Sequence, residues 1–352
     1  MELDEIFKAI PGPDPIAAAQ ARRRWDSLAK PLGGLGLLEE QIVRIAALTG
    51  SEEVLLDNRA LLVLCADNGV TAQGVSQCDA GVTASVARSL AAGSSTVCHM
   101  AAAAHCRVIP VDMGILDFPP VEGILSRRIA NGTGDITLAP ALTREECIAA
   151  IETGIALVHE CKRDGVQLLA TGEMGIGNTT TTSAVTAVLL NLPAPAVTGR
   201  GAGLSRSALE RKIAVVESAI RRSCPDPDDP IDVLSQVGGL DLAGLCGVFL
   251  GGALYRIPVI IDGAISAAAA LCALRLCPNA GSAMLASHVS SEPSGRLLLD
   301  ALGLKAPICA EMHAGEGTGA VAAIPLLDLA LAVYHSGHTF SHLGIPAYIP
   351  QQ

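Results

Sequence analysis

The chain has 352 residues, enough for one large domain or two modest ones, and half of them are hydrophobic while only 2% are aromatic. A net charge of −11 without a basic cluster argues against nucleic acid or an anionic membrane surface as a partner. No apolar run reaches the roughly 18 residues that a membrane span needs, and the start shows no signal peptide. We therefore expect a cytoplasmic protein in which most of the eleven cysteines are small buried residues.

The first fifty residues have a helical pattern, and short apolar runs then alternate with helical ones. Four runs indicate buried strands, namely ALLVLCADNGV (60–70), RVIPVDMGI (107–115), VQLLATGEMG (166–175) and IPVIIDG (257–263). The clearest helix precedes the third run, where Thr143 and Glu146 form a capping-box pattern and Gly165 ends the helix. This alternation predicts an α/β protein with a parallel, doubly wound sheet.

Each predicted strand ends in an acid that is followed closely by a glycine. These acids are Asp67, Asp112, Glu173 and Asp262. The carboxyl ends of parallel strands share one edge of a sheet, and ligands bind in the crevice there. Four acids at that edge favour a site for hydroxyls and a positive charge, such as a ribose attached to a cationic base. Taken singly, each acid would more often make a turn or cap a helix.

The stretch GEMGIGNTTTTSAV (172–185) follows the third predicted strand. Gly175 and Gly177 allow positive φ, and Asn178 and Thr179 lie where a helix would begin, so that free amides and the positive end of the helix dipole face the loop. The pattern favours a phosphate site, with a plain tight turn as the alternative. It matches neither a Walker A sequence nor GxGxxG.

Two further loops carry groups of chemical interest. TGRGAGLSRSALERK (198–212) offers Arg200 and Lys212 to the same phosphate, or forms an ordinary solvated helix face. In EMHAGEGTGA (311–320), Glu316 could be a general base or an exposed turn acid, and His313 is a rival base. The histidines show no HExxH or HxH spacing, so we predict no metal and no cofactor. The absence of a G-x-S-x-G motif gives a serine hydrolase little support.

Eight stretches together resemble one family, the nicotinate-nucleotide:dimethylbenzimidazole phosphoribosyltransferases that activate the lower ligand of cobamides such as vitamin B12. They occur in family order over nearly the whole chain. They are LAKPLGGLG (28–36), CADNGVTAQGVS (65–76), GEMGIGNTT (172–180), GRGAGL (199–204), VGGLDLAG (237–244), PVIIDG (258–263), SHVSSE (287–292) and GEGTGA (315–320).

The resemblance implies a reaction in which nicotinate mononucleotide donates its 5-phosphoribosyl group to a lower-ligand base, giving nicotinate and an α-riboside phosphate. It also implies a Rossmann-like α/β domain with a smaller helical domain formed by both chain ends. We accordingly divide the chain into a helical segment at 1–50, the α/β domain at 51–330, and a C-terminal segment at 331–352 that completes the small domain. The family is dimeric, which implies a homodimer, or a heterodimer with a homologous subunit.

The resemblance also assigns roles to residues. Glu316 matches the family's general base, and Glu173 matches the acid near the ribose and the positive charge that builds on it. Residues on the phosphoribose side are implied to be Gly175, Ile176, Gly177, Asn178, Thr179, Gly201, Lys212, Asp262, Gly263, Ser290 and Ser291. Residues on the base side are implied to be Cys78, Val86, Met312, His313, Ala314 and Gly315.

The base half of the chain departs from the family pattern. Asn68 stands where typical members have a His, while Cys78 and Val86 stand where they usually have a Ser or Tyr and a Gln. His313 and Ala314 stand where Arg-Leu or similar is usual. An apolar wall would suit a benzimidazole nitrogen less, so the acceptor could be phenol or p-cresol, as in a family version built from two homologous subunits. A non-catalytic partner subunit and a dinucleotide-dependent oxidoreductase remain as alternatives.

Overall fold

The computed structural model describes residues 3–349, which form one six-stranded sheet with helices on both faces. All strand pairs are parallel and the order is 3-2-1-4-5-6. The strands are β1 Arg59–Ala66, β2 Arg107–Gly114, β3 Leu125–Ser126, β4 Leu168–Met174, β5 Val259–Ile261 and β6 Met284–Ala286. The predicted doubly wound α/β sheet is confirmed, and β1, β2, β4 and β5 are the four strands expected from the sequence.

The helices precede, connect and follow the strands. They are α1 Leu3–Ala9, α2 Pro15–Ser27, α3 Leu37–Thr49, α4 Gly81–Ala91, α5 Thr96–Ala103, α6 Arg144–Arg163, α7 Asn178–Leu190, α8 Ala194–Val197, α9 Arg206–Ser223, α10 Pro230–Val237, α11 Leu240–Tyr255, α12 Ala264–Leu276, α13 Ser294–Ala301, α14 Thr318–Tyr334 and α15 Phe340–Leu343. Short 3-10 helices lie at Gly69–Gln73 and Pro278–Ala283. The capping box at Thr143 and Glu146 begins α6 as predicted.

The alternation of side chains along β1 divides the core into two layers. Leu62 and Leu64 point into a layer formed with α6, α7 and α9 to α12. Leu61 and Val63 point into the other layer, formed with α2 to α5 and α14. Both faces of the sheet are therefore covered, which is why every residue of β1 is buried.

Small residues allow the closest helix contact in the molecule, that of α6 with α11. A Cβ added to Gly154 would overlap the carbonyl oxygen of Gly244, and one added to Gly247 would overlap that of Ile151. The backbones therefore touch directly at these glycines. The abundance of Ala and Gly in the sequence thus has a packing purpose on this face of the sheet.

The helices of the two chain ends pack together. The rings of Trp25 and Tyr334 lie 4.9 Å apart, and Leu28 forms an isolated antiparallel bridge with Thr339. The division at 50 and 330 stays a prediction. Helix α14 continues across the second of these boundaries, and residues 1–2 and 350–352 of the end segments lie outside the described residues.

Eight of the eleven cysteines are buried, as the sequence analysis expected, and Cys78, Cys224 and Cys309 are exposed. Burial raises the pKa of several of these thiols, that of Cys147 to about 12. Within residues 3–349, no helix combines the length and the apolar character that crossing a membrane requires.

Candidate active site

A cavity of about 330 Å³ opens at the carboxyl edge of the sheet. Strand order reverses between β1 and β4, and the loops that follow these two strands both contribute to the wall. The loops after β5 and β6 and the turn before α14 complete it. Ligands of doubly wound sheets bind at this kind of switch point, so the topology alone makes this cavity the candidate site.

The glycine loop after β4 forms the floor of the cavity and leads into α7. Gly177 has φ +96°, a conformation that glycine adopts without strain. Gly175 has no room for a side chain, because a Cβ there would overlap the carbonyl oxygen of Ala66. The amide of Ile176 donates to the hydroxyl of Thr83 at 3.1 Å. These constraints bring the N-terminus of α7, with the positive end of its helix dipole, to the cavity wall.

Glu173, at the end of β4, is buried and lines the cavity. The side-chain nitrogen of Asn178 donates both to Glu173 Oε2 and, at 2.9 Å, to Asp241 Oδ2. Burial raises the pKa of Glu173 to about 8, helped by the negative charges of Asp241, Asp262 and Glu316 and opposed by the Asn178 bond. Burial likewise raises the pKa of Asp241 to about 6. No cation bonds to this carboxylate pair within the described residues, so the site favours a positive charge brought by a ligand.

Lys212 is the buried cation of the cavity. It comes from α9, is fully buried, and its Nζ donates to Thr179 Oγ1 at 2.8 Å. Burial lowers the pKa of Lys212 to about 8, and the charge of Glu292 partly opposes this shift. Glu292 Oε1 in turn accepts the amide of Gly201 at 3.0 Å. The hydroxyl of Thr182 also lines the cavity and has no hydrogen-bond partner in the protein. Lys212 and the hydroxyls of Thr179 and Thr182 can hold an anion such as a phosphate.

Glu316 lies on a strained turn before α14. Its φ is +59°, between Gly315 at +73° and Gly317 at +94°. A non-glycine residue in the left-handed region costs of order 1 kcal/mol, and such strain concentrates at functional sites. Glu316 is half-buried, and its Oε2 is buried without a hydrogen-bond partner in the protein. A carboxylate with an unused oxygen at a cavity wall can accept a proton from a ligand.

Comparison with known proteins identifies the family. A family model described as Phosphoribosyltransferase matches residues 10–345, almost the whole chain. The chain belongs to this family.

A relative from Acetivibrio thermocellus, named nicotinate-nucleotide–dimethylbenzimidazole phosphoribosyltransferase, is 47% identical over 99% of this chain and 97% of its own. One of the same name from Ruminiclostridium cellulolyticum is 42% identical over 99% of both. The crystal structure of CobT from Thermus thermophilus superposes with a TM-score of 0.90 at 39% identity, covering 95% of this chain and all of that one.

Membership confirms the resemblance noted in the sequence, and the chain is a phosphoribosyltransferase. The match to the CobT fold confirms the predicted fold class. Membership in a transferase family leaves the dinucleotide-dependent oxidoreductase without support. Within residues 3–349, no three or more His, Cys, Asp or Glu residues are grouped so as to hold a metal ion.

The phosphoribosyltransferase cavity gathers most of the residues singled out in the sequence. Both candidate catalytic acids line it, with Gly175, Ile176, Gly177, Asn178, Thr179, Gly201, Lys212, Asp262, Gly263 and Ser290, and with Cys78, Val86, His313, Ala314 and Gly315. Ser291 and Met312 do not line it. They are joined to each other, the amide of Ser291 donating to the carbonyl of Met312 at 3.1 Å. His313, the rival base, is exposed, with Nδ1 3.0 Å from the carbonyl of Glu311.

The four strand-end acids do not share the cavity, contrary to the expectation from the sequence. Asp67 accepts the amide of Leu116 at 2.8 Å, and Asp112 is paired with Arg128 at 3.0 Å. Neither acid lines the cavity. Both are turn acids because the chain folds back over the ends of β1 and β2 and supplies them with local partners. Of the four acids, only Glu173 at the end of β4 and Asp262 after β5 line the cavity.

Other cavity residues were missed in the sequence analysis. His288 lies against Asp262, and Thr182, Ser183 and Glu292 line the wall. His288 and Glu292 lie in the stretch SHVSSE that carries the resemblance, which could have singled them out. Thr182 and Ser183 lie within the stretch GEMGIGNTTTTSAV but were not singled out, because a hydroxyl inside a helix usually bonds back to its own helix.

Proposed function

We propose that this phosphoribosyltransferase moves the 5-phosphoribosyl group of nicotinate mononucleotide to an aromatic lower-ligand base, and that dimethylbenzimidazole is the principal acceptor. The products would be nicotinate and an α-riboside phosphate. The names of the relatives support both substrates. The observation that carries the proposal is that one cavity holds a buried cation, Lys212, and a carboxylate with an unused oxygen, Glu316.

The donor fits the polar side of the cavity. Its phosphate would accept from Lys212 and Thr179 and would face the positive end of the α7 dipole. Glu173 would then face the ribose, whose C1′ gains positive charge as the glycosidic bond breaks. A buried, uncompensated carboxylate stabilises such a charge more than water does, because it is already oriented in a low-dielectric site.

The transfer needs one general base, for the acceptor, and little help from a general acid at the leaving group. The C1′–N bond to the nicotinate ring breaks, and its electron pair neutralises the cationic ring nitrogen. A ring nitrogen of dimethylbenzimidazole forms the new bond to C1′, and the N–H proton of the acceptor passes to Glu316. Attack from the face opposite the leaving group inverts C1′, which gives the α configuration. Positioning of the two substrates supplies much of the remaining rate.

A second acceptor class is favoured by one wall of the cavity. Val75, Val82 and Val86 lie there with Cys78, whose thiol is only a weak hydrogen-bond donor, while Ser76 and Gln77 line the cavity beside them. Such a wall suits phenol or p-cresol, whose hydroxyl would lose its proton to Glu316. We expect the double variant Cys78→Ser/Val86→Gln to raise the kcat/KM for dimethylbenzimidazole relative to p-cresol by about tenfold. An unchanged ratio would exclude this wall as the determinant of acceptor choice.

Assembly and location stay predictions. The chain would act as a homodimer, or as a heterodimer with a homologous subunit, and would have no nucleic acid or membrane partner. The cytoplasmic location likewise stays a prediction from the sequence.

The deciding experiment is nicotinate release from nicotinate mononucleotide, followed by chromatography with mass detection. The acceptors are dimethylbenzimidazole, adenine, phenol and p-cresol. Glu316→Gln tests the base, and Glu311→Gln, an exposed acid of the same segment, is the matched control. We expect release with the matching riboside phosphate from wild type and Glu311→Gln, and a loss of about 10²–10⁴-fold in Glu316→Gln.

Other outcomes point elsewhere. Full activity in Glu316→Gln would show that the base is another group. Activity that is absent alone but recovered with a homologous subunit would favour the non-catalytic partner. A failure to release nicotinate with any of the four acceptors, even beside such a partner, would contradict the proposed function.

A further inference from the structure

The stretch VGGLDLAG (237–244) begins α11 and puts a carboxyl group behind the cavity wall. Asp241 is 0% exposed. It does not line the cavity, whereas Glu173 and Asn178 do. Burying a carboxyl group is unfavourable in free energy unless its hydrogen bonds offset the lost hydration. Asp241 accepts from the side chain of Asn178 and from the amide of Leu242, beside its own backbone amide.

The bond to Asn178 connects Asp241 to the reaction site. The same side-chain nitrogen of Asn178 donates to Asp241 Oδ2 at 2.9 Å and to Glu173 Oε2. Its two N–H bonds therefore point at two carboxyl groups, one behind the wall and one in the cavity. This fixes the plane of the carboxamide, because both of its hydrogens are used.

The space around this arrangement is tightly filled. A Cβ on Gly175 would lie 3.0 Å from Asp241 Oδ2, and one on Gly239 would lie 2.7 Å from Oδ1. The buried amide of Asn68 sits against the same two glycines and has no hydrogen-bond partner in the protein. Asp241 therefore has little freedom to turn, and neither does the Asn178 side chain that it holds.

We propose that Asp241 is a positioning residue for Glu173: it holds the Asn178 carboxamide from behind, and Asn178 fixes where the Glu173 carboxylate stands in the cavity. The inference rests on the proposed function, in which Glu173 faces the ribose. Asp241 touches no substrate. It also adds a second negative charge near Glu173, which opposes the loss of the Glu173 proton in the empty enzyme and favours a cationic ligand.

Other ionisable groups face this pair and enter any pH dependence. Asp262 after β5 and Glu316 before α14 act on Glu173, and Asp67 after β1 acts on Asp241. On β1, the buried thiol of Cys65 lies near the negative charges of both Glu173 and Asp241. A substitution at Asp241 must therefore be compared with one at another buried acid.

Two variants separate the charge of Asp241 from its hydrogen bond. Asp241→Asn can still accept from Asn178 but carries no charge. We expect its kcat to stay within about threefold of wild type above pH 8, and the acid limb of the pH profile to move down by about one pH unit.

Asp241→Ala removes the bond as well. We expect its kcat to fall about 10- to 100-fold, with the KM for nicotinate mononucleotide within about threefold, because the misplaced carboxylate acts in the transition state.

Asp112→Asn is the control, since Asp112 is also buried at the carboxyl edge but lies outside the cavity. The acid limb of the pH profile of Asp112→Asn should stay where it is in wild type. The proposal is overturned if Asp241→Asn leaves the acid limb in place, or if Asp241→Ala retains full kcat.

A titration that needs no turnover distinguishes a failure of this proposal from a failure of the proposed function. It also keeps the proposal testable if Asp241→Ala fails to fold. The carboxyl ¹³C signals of wild type are titrated beside those of Asp241→Asn and of Glu173→Gln, which assigns the Glu173 signal. Proton loss by Glu173 that moves to lower pH in Asp241→Asn, because the charge of Asp241 is gone, supports the proposal. Independent titration of the two groups overturns it, whether or not any transfer is observed.

Discussion

The carboxyl group of Asp262 holds the turn on which Glu316 stands. Asp262 Oδ2 accepts the amide of Gly317 at 3.1 Å, and Oδ1 accepts the amides of Gly319 and Ala320 at 2.8 and 3.0 Å. Both oxygens are therefore used on the backbone at the start of α14. The family resemblance of the sequence implies that Asp262 lies on the phosphoribose side. Its bonds show that it also fixes the residue proposed as the base.

Replacing Asp262 should disturb catalysis through this turn. Asp262→Asn keeps one acceptor oxygen but presents an N–H group to backbone donors. We expect kcat to fall about 10- to 100-fold, because a displaced general base loses its alignment with the acceptor. Asp112→Asn, the same change at the end of β2, should retain kcat. Steady-state transfer rates check this, and an unchanged kcat in Asp262→Asn would show that the turn is held by other contacts.

Lys212 should determine the affinity for the donor phosphate. Lys212→Met removes the buried charge at Thr179, so we expect the KM for nicotinate mononucleotide to rise about 10- to 100-fold. Arg211→Met, the exposed neighbour, is the control and should change the KM by less than about threefold. Equal effects of the two variants would indicate a general loss of positive charge and not a specific contact.

The pH profile of wild type should be bell-shaped near pH 8. Glu173 must be ionised, which requires a pH above its pKa of about 8, and Lys212 must be charged, which requires a pH below its own pKa of about 8. The kcat/KM for nicotinate mononucleotide should therefore fall on both sides. Lys212→Met should lose the alkaline limb only. A profile that stays flat from pH 6 to 10 would contradict both assignments.

Glu173 should lower stability at neutral pH. Its pKa is raised from 4.5 to about 8 in the fold, so between these values the folded protein binds a proton that the unfolded chain does not. As far as Glu173 is concerned, the folded protein is therefore most stable below pH 4.5, and it loses free energy of unfolding as the pH rises toward 8. Glu173→Gln keeps the oxygen that Asn178 bonds and needs no proton. We expect it to be more stable than wild type by about 1–3 kcal/mol at pH 7 and by less at pH 5.

Urea unfolding at the two pH values measures this difference. Glu311→Gln, at an exposed site, should show none at either pH. A Glu173→Gln protein that is less stable than wild type at pH 7 would mean that the carboxylate is compensated in the fold.

The contact between α6 and α11 should tolerate no side chain at Gly154. Gly154→Ala would drive a methyl group into the carbonyl of Gly244. We expect a loss of about 2–4 kcal/mol in the free energy of unfolding. Gly12→Ala, at an exposed glycine whose Cβ would have its nearest neighbour at 3.8 Å, should change it by less than about 0.5 kcal/mol. Similar unfolding midpoints for both variants would show that the helices can separate at low cost.

Local patterns determined much of this fold. The alternation of apolar runs and helical stretches was enough to place four strands and to predict a parallel sheet, because the apolar period depends on neighbouring residues only. The capping box of α6 was visible for the same reason. The ordered motifs also gave the family. The edge strands β3 and β6 were missed, since each has at most three residues and neither carries the apolar run ending in an acid and a glycine that marked the equally short β5.

The sequence by itself therefore determined the fold class, the family and the segments that form the cavity. Only the tertiary structure decided which acids meet there. Asp67 and Asp112 follow strands just as Glu173 does, yet they bond to chain segments that fold back over them. Asp241 reaches Glu173 through Asn178, from a helix far along the chain. Such partnerships depend on how distant segments pack, and no short-range pattern records them.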